Sequence, residues 1–294
     1  HTPILFFTST GMVFQLKCYK LPESAPQALG KPMINLLPIE QGENIHTVMP
    51  MPEDEESWKN LQIIFATKYG NIRRNQLSDF TNIRQNGKIV MKLNESDELV
   101  SVIPCGEKDN ILLATRLGKA IRFDVHDVRV FVGRGSSGVR GIRLKPNDFV
   151  VSMSLIPDLD KRFILSVTEN GFGKRTPVED YRMTNRGGQG VANIECSTRN
   201  GPVVASYVAS EEDQIMLVTN SGKLIRIRVH GGEGDSIRVA SRKTQGVRLF
   251  DVDEGEKVVS VALLNENDDD QEREEDNHET NIENKDNNKI LNRD

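Results

Sequence analysis

The sequence predicts an all-β protein, a propeller-like array of five blades with about four short strands each, followed by a disordered acidic tail. Three observations carry this expectation. A twelve-residue window recurs five times without gaps, a second glycine-led strand trails each copy, and no long stretch before the tail shows helical periodicity.

The windows run from Ile4 to Gln15, Ile63 to Arg74, Ile111 to Arg122, Ile164 to Arg175 and Ile215 to Arg226. Each is an apolar run, a Thr, two variable residues, a Gly and a second run. The threonines are Thr8, Thr67, Thr115, Thr168 and Thr219, and the glycines are Gly11, Gly70, Gly118, Gly171 and Gly222. A Gly between two β-rich runs supplies the positive φ of a tight hairpin turn. The second marker is Gly30, Gly87, Gly138, Gly190 and Gly246, each opening another apolar strand such as GKIVMKL or GVRGIRL. A third element closes the unit, as in DELVSVIP from Asp97 and EKVVSVAL from Glu256. Four strands in roughly fifty residues is the size of a propeller blade. The blades expected are 1–58, 59–108, 109–160, 161–211 and 212–264, with the acidic stretch MPEDEESWKN around Asp54 as an exposed loop between the first two. A small sheet cannot bury both faces alone, so neighbours pack in a ring or shallow spiral.

Composition sets this body apart from its end. The formal charge of −5 averages a stretch from Asn265 to Asp294 with a net of −8 and a body of +3. Runs such as NENDDDQEREED have too few apolar groups to offset the entropy of ordering, so 265–294 is expected to be a disordered tail. The chain starts on His1, already in a strand-like run, and is expected to be a piece of a longer protein with no signal peptide before it. Apolar runs of four or five residues fall far short of the roughly 20 needed to cross a bilayer, which points to a soluble, cytoplasmic protein without membrane contact. Cys18, Cys105 and Cys196 match neither a disulfide framework nor a zinc site, and His1, His46, His126, His230 and His278 never fall at metal-ligand spacing, so no metal is expected.

No phosphate loop, nucleophile elbow or zinc-protease helix motif is present, so no catalytic centre is expected in this chain. The Gly-rich pieces GRGSSGVRG (133–141) and NRGGQG (185–190) suit backbone cradling of phosphate, in the company of Arg134, Arg140, Arg143, Arg182 and Arg186. Basic residues also recur just after the hairpin glycines: Arg73 and Arg74; Lys119 and Arg122; Lys174 and Arg175; Lys223 with Arg226 and Arg228. Equivalent positions in equivalent blades lie on one circumference, giving a positive belt suited to the phosphate backbone of duplex DNA. Together with Lys88, Arg134, Arg140, Arg143 and Arg186, the residues of this belt are the candidate DNA-binding residues. Aromatic residues make up 5% of the chain and do not alternate with basic ones, which argues against stacking on single strands.

The segments VFQLKCYKLPE (13–23), GKPMINLLPIEQGE (30–43), GVRGIRL (138–144), NGFGKRT (170–176) and RNGPVV (199–204) closely resemble the C-terminal domain of the DNA gyrase A subunit. The resemblance covers 1–264. It implies a six-bladed β-pinwheel, in which strands are exchanged between blades and DNA wraps around a basic rim, biasing strand passage toward negative supercoils. ATP and magnesium would act elsewhere in the parent complex. Its partners would be duplex DNA and, through an upstream region, a second A subunit with the gyrase B subunit, in a nucleoid-associated assembly. Two departures stand out: the family's Q-R-R-G-G-K-G box is absent, echoed only by NRGGQG, and five blades are present. The box-bearing blade and the catalytic tyrosine are expected upstream of His1. Two alternatives stay open, the related domain of topoisomerase IV, which serves decatenation, and a propeller acting as a protein scaffold. DNA binding that weakens steeply with salt separates a basic rim from a scaffold.

Overall fold

The computed structural model describes residues 2–25, 28–133, 135–157, 162–232 and 236–264. The expected tail, 265–294, lies outside the described residues. Among those described there are twenty strands and six short 3-10 turns, with no α-helix.

In chain order, the first repeat contributes β1 (Pro3–Thr8), β2 (Met12–Lys17) and β3 (Ile45–Pro50). The second adds β4 (Gln62–Thr67), β5 (Asn71–Gln76), β6 (Lys88–Ile89) and β7 (Leu99–Cys105). The third holds β8 (Asn110–Thr115), β9 (Lys119–Asp124), β10 (Val130–Phe131), β11 (Val139–Arg140) and β12 (Val150–Ile156). The fourth holds β13 (Phe163–Thr168), β14 (Phe172–Pro177), β15 (Val191–Ala192) and β16 (Val203–Ala209). The fifth holds β17 (Gln214–Thr219), β18 (Leu224–Arg228), β19 (Val247–Arg248) and β20 (Val258–Leu264).

The five sheets do not coincide with the five repeats. Each repeat pairs its hairpin with its own long closing strand, but its short strand after the second glycine crosses to the preceding sheet. Thus β6 pairs with β2, β11 with β5, β15 with β9 and β19 with β14. The blades expected at 1–58, 59–108, 109–160 and 161–211 are each completed by residues from the next one. The second sheet has five strands, because β10 adds a parallel pairing to β5, and the fifth has three, because no donated strand reaches β18 among the described residues.

Glycine geometry makes the crossing possible. Gly87, Gly138, Gly190 and Gly246 all have φ near +70° to +80°, and a Cβ on Gly138 would lie 2.3 Å from the Ile72 carbonyl oxygen. Three residues on, the amides of Val90, Gly141, Asn193 and Leu249 donate to the hairpin glycine carbonyls of the preceding sheet, Gly11, Gly70, Gly118 and Gly171.

The recurrent Thr is also explained. Thr67, Thr115 and Thr219 are buried. Each donates to a carboxylate just before the closing strand: Asp97 at 2.7 Å, Asp148 at 2.8 Å and Glu256 at 2.6 Å. Asp97 and Asp148 also accept from the turn amides of Tyr69 and Leu117.

Consecutive sheets bury their apolar faces against one another, which is why runs such as Ile63–Ala66 are apolar on both faces. One core joins the first two sheets through Leu5, Phe7, Trp58 and Phe65, with edge-on rings at 5.9 Å between Phe7 and Phe65. Others join the second to the third (Ile64, Ile111, Phe123), the third to the fourth (Leu112, Ile164, Tyr181) and the fourth to the fifth (Leu165, Ile215, Val261). The free face of the first sheet is covered by its own connection, through Met33, Leu36, Leu37 and Ile39. The acidic stretch after Met51 folds into a 3-10 turn, Glu55–Asn60, that drives Trp58 fully into the first core while its Asp54 and Glu56 stay exposed. The closing strands pack in the order β3, β7, β12, β16, β20 around a central cavity of about 430 Å³.

Candidate nucleic-acid interface

The basic positions after the hairpin glycines do not form the expected exposed belt. Arg73 is 1% exposed, Arg74 5%, Lys174 0% and Arg175 4%, while Lys119 and Arg122 are half-buried. These positions lie on the second hairpin strand, where the segment donated by the next repeat passes over them. Arg73 donates to the Ser136 carbonyl at 2.6 Å, to the Gly133 carbonyl and to Asn75 at 2.7 Å. Lys174 donates to the Ser241 carbonyl at 2.5 Å, Arg175 to the Ile237 carbonyl at 2.7 Å, and Arg122 to the Val178 carbonyl at 3.2 Å. Strand pairing at the same place seals them: β10 aligns Val130 with Arg74, and bridges align Met183 with Arg122 and Val239 with Arg175. Arg73, Lys174 and Arg175 are therefore clasps between sheets, and Arg74 is buried beside them, so none of the four stands in solvent as the belt expectation has it. The fifth hairpin shows the same rule from the other side. With no segment over β18 among the described residues, Lys223, Arg226 and Arg228 are exposed, Lys223 pairing with Asp253 and Glu256 and Arg226 bonding Gln214 of its own sheet.

Positive charge instead reaches solvent on the donated segments and the loops leading into them. Arg140 and Arg143 are exposed, and so are Arg84, Lys92, Arg182 and Lys243. Arg248 is exposed and paired with Asp251 at 2.5 Å. Lys88 is half-buried and donates to the Asp79 and Thr81 carbonyls at 2.7 and 3.1 Å. Arg186 is half-buried, with its Nε on the Asp127 carbonyl at 2.8 Å and its Nη1 on the Arg140 carbonyl at 3.1 Å. Arg134 lies outside the described residues. Arg84, Lys92 and Lys243 belong to none of the basic patterns read from the sequence. Their shared place is the second glycine, within five residues on either side.

The Gly-rich loops are joints of the exchange. The Gly187 amide donates to the Gly141 carbonyl at 2.6 Å and the Gly141 amide to the Gly70 carbonyl at 2.8 Å, so these amides are already engaged and do not form the open phosphate cradle expected. Gly133 offers its carbonyl to Arg73.

Cys105 and Tyr181 lie in the interior. Burial pushes the Cys105 thiol up to about 11. Tyr181 is buried with its hydroxyl on Asn193 at 2.6 Å, and burial raises its pKa. Among the described residues no group of His, Cys, Asp and Glu is placed to hold a metal, and no helix is long and apolar enough to cross a membrane.

A sequence profile of the family described as "DNA gyrase C-terminal domain, beta-propeller" matches residues 2–50, 62–106, 109–157, 162–201 and 213–265. The DNA gyrase A subunit of Rickettsia bellii (strain RML369-C) is 43% identical over 318 residues, covering 92% of this chain and 35% of that protein. The chain thus spans about a third of the length of that relative. Among solved structures, the C-terminal domain of DNA topoisomerase IV superposes with a TM-score of 0.80 at 27% identity, over 90% of this chain and 79% of that one. The DNA gyrase A C-terminal domain gives 0.74 at 24% identity, over 90% and 83%, a likeness of fold.

Proposed function

Because the chain belongs to the C-terminal β-propeller family of DNA gyrase, we propose that it binds duplex DNA without regard to sequence and bends it around its outer rim. The observation that carries this reading is the series of exposed cations on successive donated segments: Arg84 and Lys92, then Arg140 and Arg143, then Arg182, then Lys243. A charge-only grip needs no catalytic group. It needs cations repeated along a curve, and the one or two exposed cations on the donated segment of each of these four repeats support that reading. Phosphate binding must also supply the cost of bending, about 1 to 6 kcal/mol for a 20 to 30 base-pair segment turned by 40 to 90°.

In the parent assembly, wrapping would present a neighbouring segment of the same DNA to the strand-passage gate of a type II topoisomerase and favour negative supercoils. The ATP and magnesium sites, the B subunit, and the second A subunit would contact other parts of the protein. The assembly would be cytoplasmic and nucleoid-associated. A second reading is favoured by the backbone match to the topoisomerase IV domain: a weaker grip serving decatenation. The full-length enzyme carrying this chain decides between them, negative supercoiling of relaxed plasmid supporting the first and decatenation without supercoiling the second.

The interface itself is tested by Arg140→Glu with Arg143→Glu. Affinity for a mixed-sequence duplex should fall, and the slope of log affinity against log salt should flatten by about 0.9 for each phosphate no longer neutralised. A folded variant with unchanged affinity and slope refutes the rim, and wild-type binding indifferent to salt would favour a protein scaffold.

A further inference from the structure

The donated segments also touch one another, in a fixed register. The amide five residues after the second glycine donates to the carbonyl two residues before the next second glycine: Lys92 to Ser136 at 3.3 Å, Arg143 to Gly188 at 2.8 Å and Glu195 to Thr244 at 3.0 Å. Two arginines, each four residues before a second glycine, reinforce the series. Arg186 Nη1 donates to the carbonyl of Arg140 at 3.1 Å, and Arg242 Nη1 to the carbonyl of Ala192 at 3.1 Å. Both acceptors are the second residue of the preceding donated strand. Arg186 is tied further by its Nε to the Asp127 carbonyl at 2.8 Å. Successive segments are therefore hydrogen-bonded to one another in a girdle along the sheet edges they complete, and it is this girdle that carries Lys92, Arg140 and Arg143.

We propose that Arg186 and Arg242 are positioning residues for duplex binding: they fix one donated segment against the next and so set the curvature of the cationic track, without contacting phosphate themselves. This rests on the duplex-binding reading above. A guanidinium suits the task at Arg186 because its planar fork holds two carbonyls at once, those of Asp127 and Arg140, whereas an ammonium with the same charge is a single point donor. The Arg-to-Lys change therefore separates the two roles, since it keeps a charge for phosphate and breaks the clasp.

The test uses the whole chain with Arg186→Lys, Arg242→Lys and Arg186→Gln, each checked for folding by its thermal transition. Two end-labelled duplexes of mixed sequence are compared: one of about a single helical turn, which meets one or two segments, and one of about 30 base pairs, which must bend to follow several. For the short duplex, Arg186→Gln should leave affinity and salt slope unchanged. For the long one, Arg186→Lys should lose most of the end-to-end shortening seen by fluorescence transfer in the wild type, and Arg242→Lys, which gives up a single carbonyl contact, a smaller part of it. Lysine variants that bend the long duplex as the wild type does, or a salt slope for Arg186→Gln lower by about 0.9 on the short duplex, would overturn the proposal, the latter by making Arg186 a direct phosphate contact. If Arg186→Gln does not fold, the two lysine variants decide alone. Wild-type protein that binds neither duplex would instead overturn the duplex-binding reading.

Discussion

Lys174 sits fully buried with its ammonium on the Ser241 carbonyl, a neutral acceptor in place of the water it has given up. Burial first, and the charge of Arg242 second, lower its pKa from the ordinary 10.5 to about 8. The unfolded chain then holds more protons than the folded one between about pH 8 and 10.5, so stability must rise with pH across that window. At about 1.4 kcal/mol per pH unit, the gain is on the order of 3 kcal/mol, and Lys174→Met should abolish it. Denaturant titrations of both proteins at about pH 7.5 and 10 measure this directly. Glu256 has the opposite sign. Hydrogen bonds from Ser221, then Thr219, then the Asp253 amide and Lys223 hold its carboxyl down to about 2. Its stabilisation is present above the ordinary value of 4.5 and is lost as pH falls from there toward 2. Glu256→Gln should remove that part of the acid sensitivity, read from melting temperatures across the same range.

At the scale of strands and turns, the second glycine is a backbone requirement, and its cost depends on what crosses it. Gly30 and Gly138 share a positive φ, +68° and +78°, yet nothing lies within 4 Å of a Cβ built on Gly30, while one on Gly138 meets the Ile72 carbonyl. Gly30→Ala should cost about 1 kcal/mol, the left-handed penalty alone. Gly138→Ala adds a clash with backbone and should cost severalfold more, by chemical denaturation. The Thr clasp is equally local: Thr67→Val removes one donor from the buried Asp97 carboxylate and should destabilise by about 1 to 3 kcal/mol. The recurrent glycines and threonines are legible in the sequence, because a hairpin and its turn are written within a dozen adjacent residues. The identity of the surface cations is not. The strand Asn71–Gln76, with two adjacent arginines, reads as a solvated face, and only a segment some sixty residues away buries it. Arg140 and Arg143 can be picked out because GVRGIRL carries its own glycine register, and Lys92 holds the place of Arg143 in GKIVMKL; Arg84, ahead of that glycine, has no motif to announce it.

Across the whole molecule, the sheets form a chain of nearest neighbours, so stability is approximately a sum of repeat and junction contributions. Its two ends differ. The first sheet hides its free face beneath Met33, Leu36 and Leu37, whereas β18 presents an edge that no described strand pairs, with Leu224 exposed, the kind of edge that invites pairing with other strands. Amide exchange should therefore be fastest on the outward edge of β18 and much slower on β5, β9 and β14, which are covered on both sides. The exchange of strands also imposes an order on biosynthesis. The first sheet is complete only once Ile89 has been made, the second after Arg140, the third after Ala192 and the fourth after Arg248. At roughly 5 to 20 residues per second, the newest hairpin on the ribosome waits several seconds for its last strand, and a polypeptide halted at Ala209 would carry three finished sheets and a fourth whose edge any passing strand can occupy.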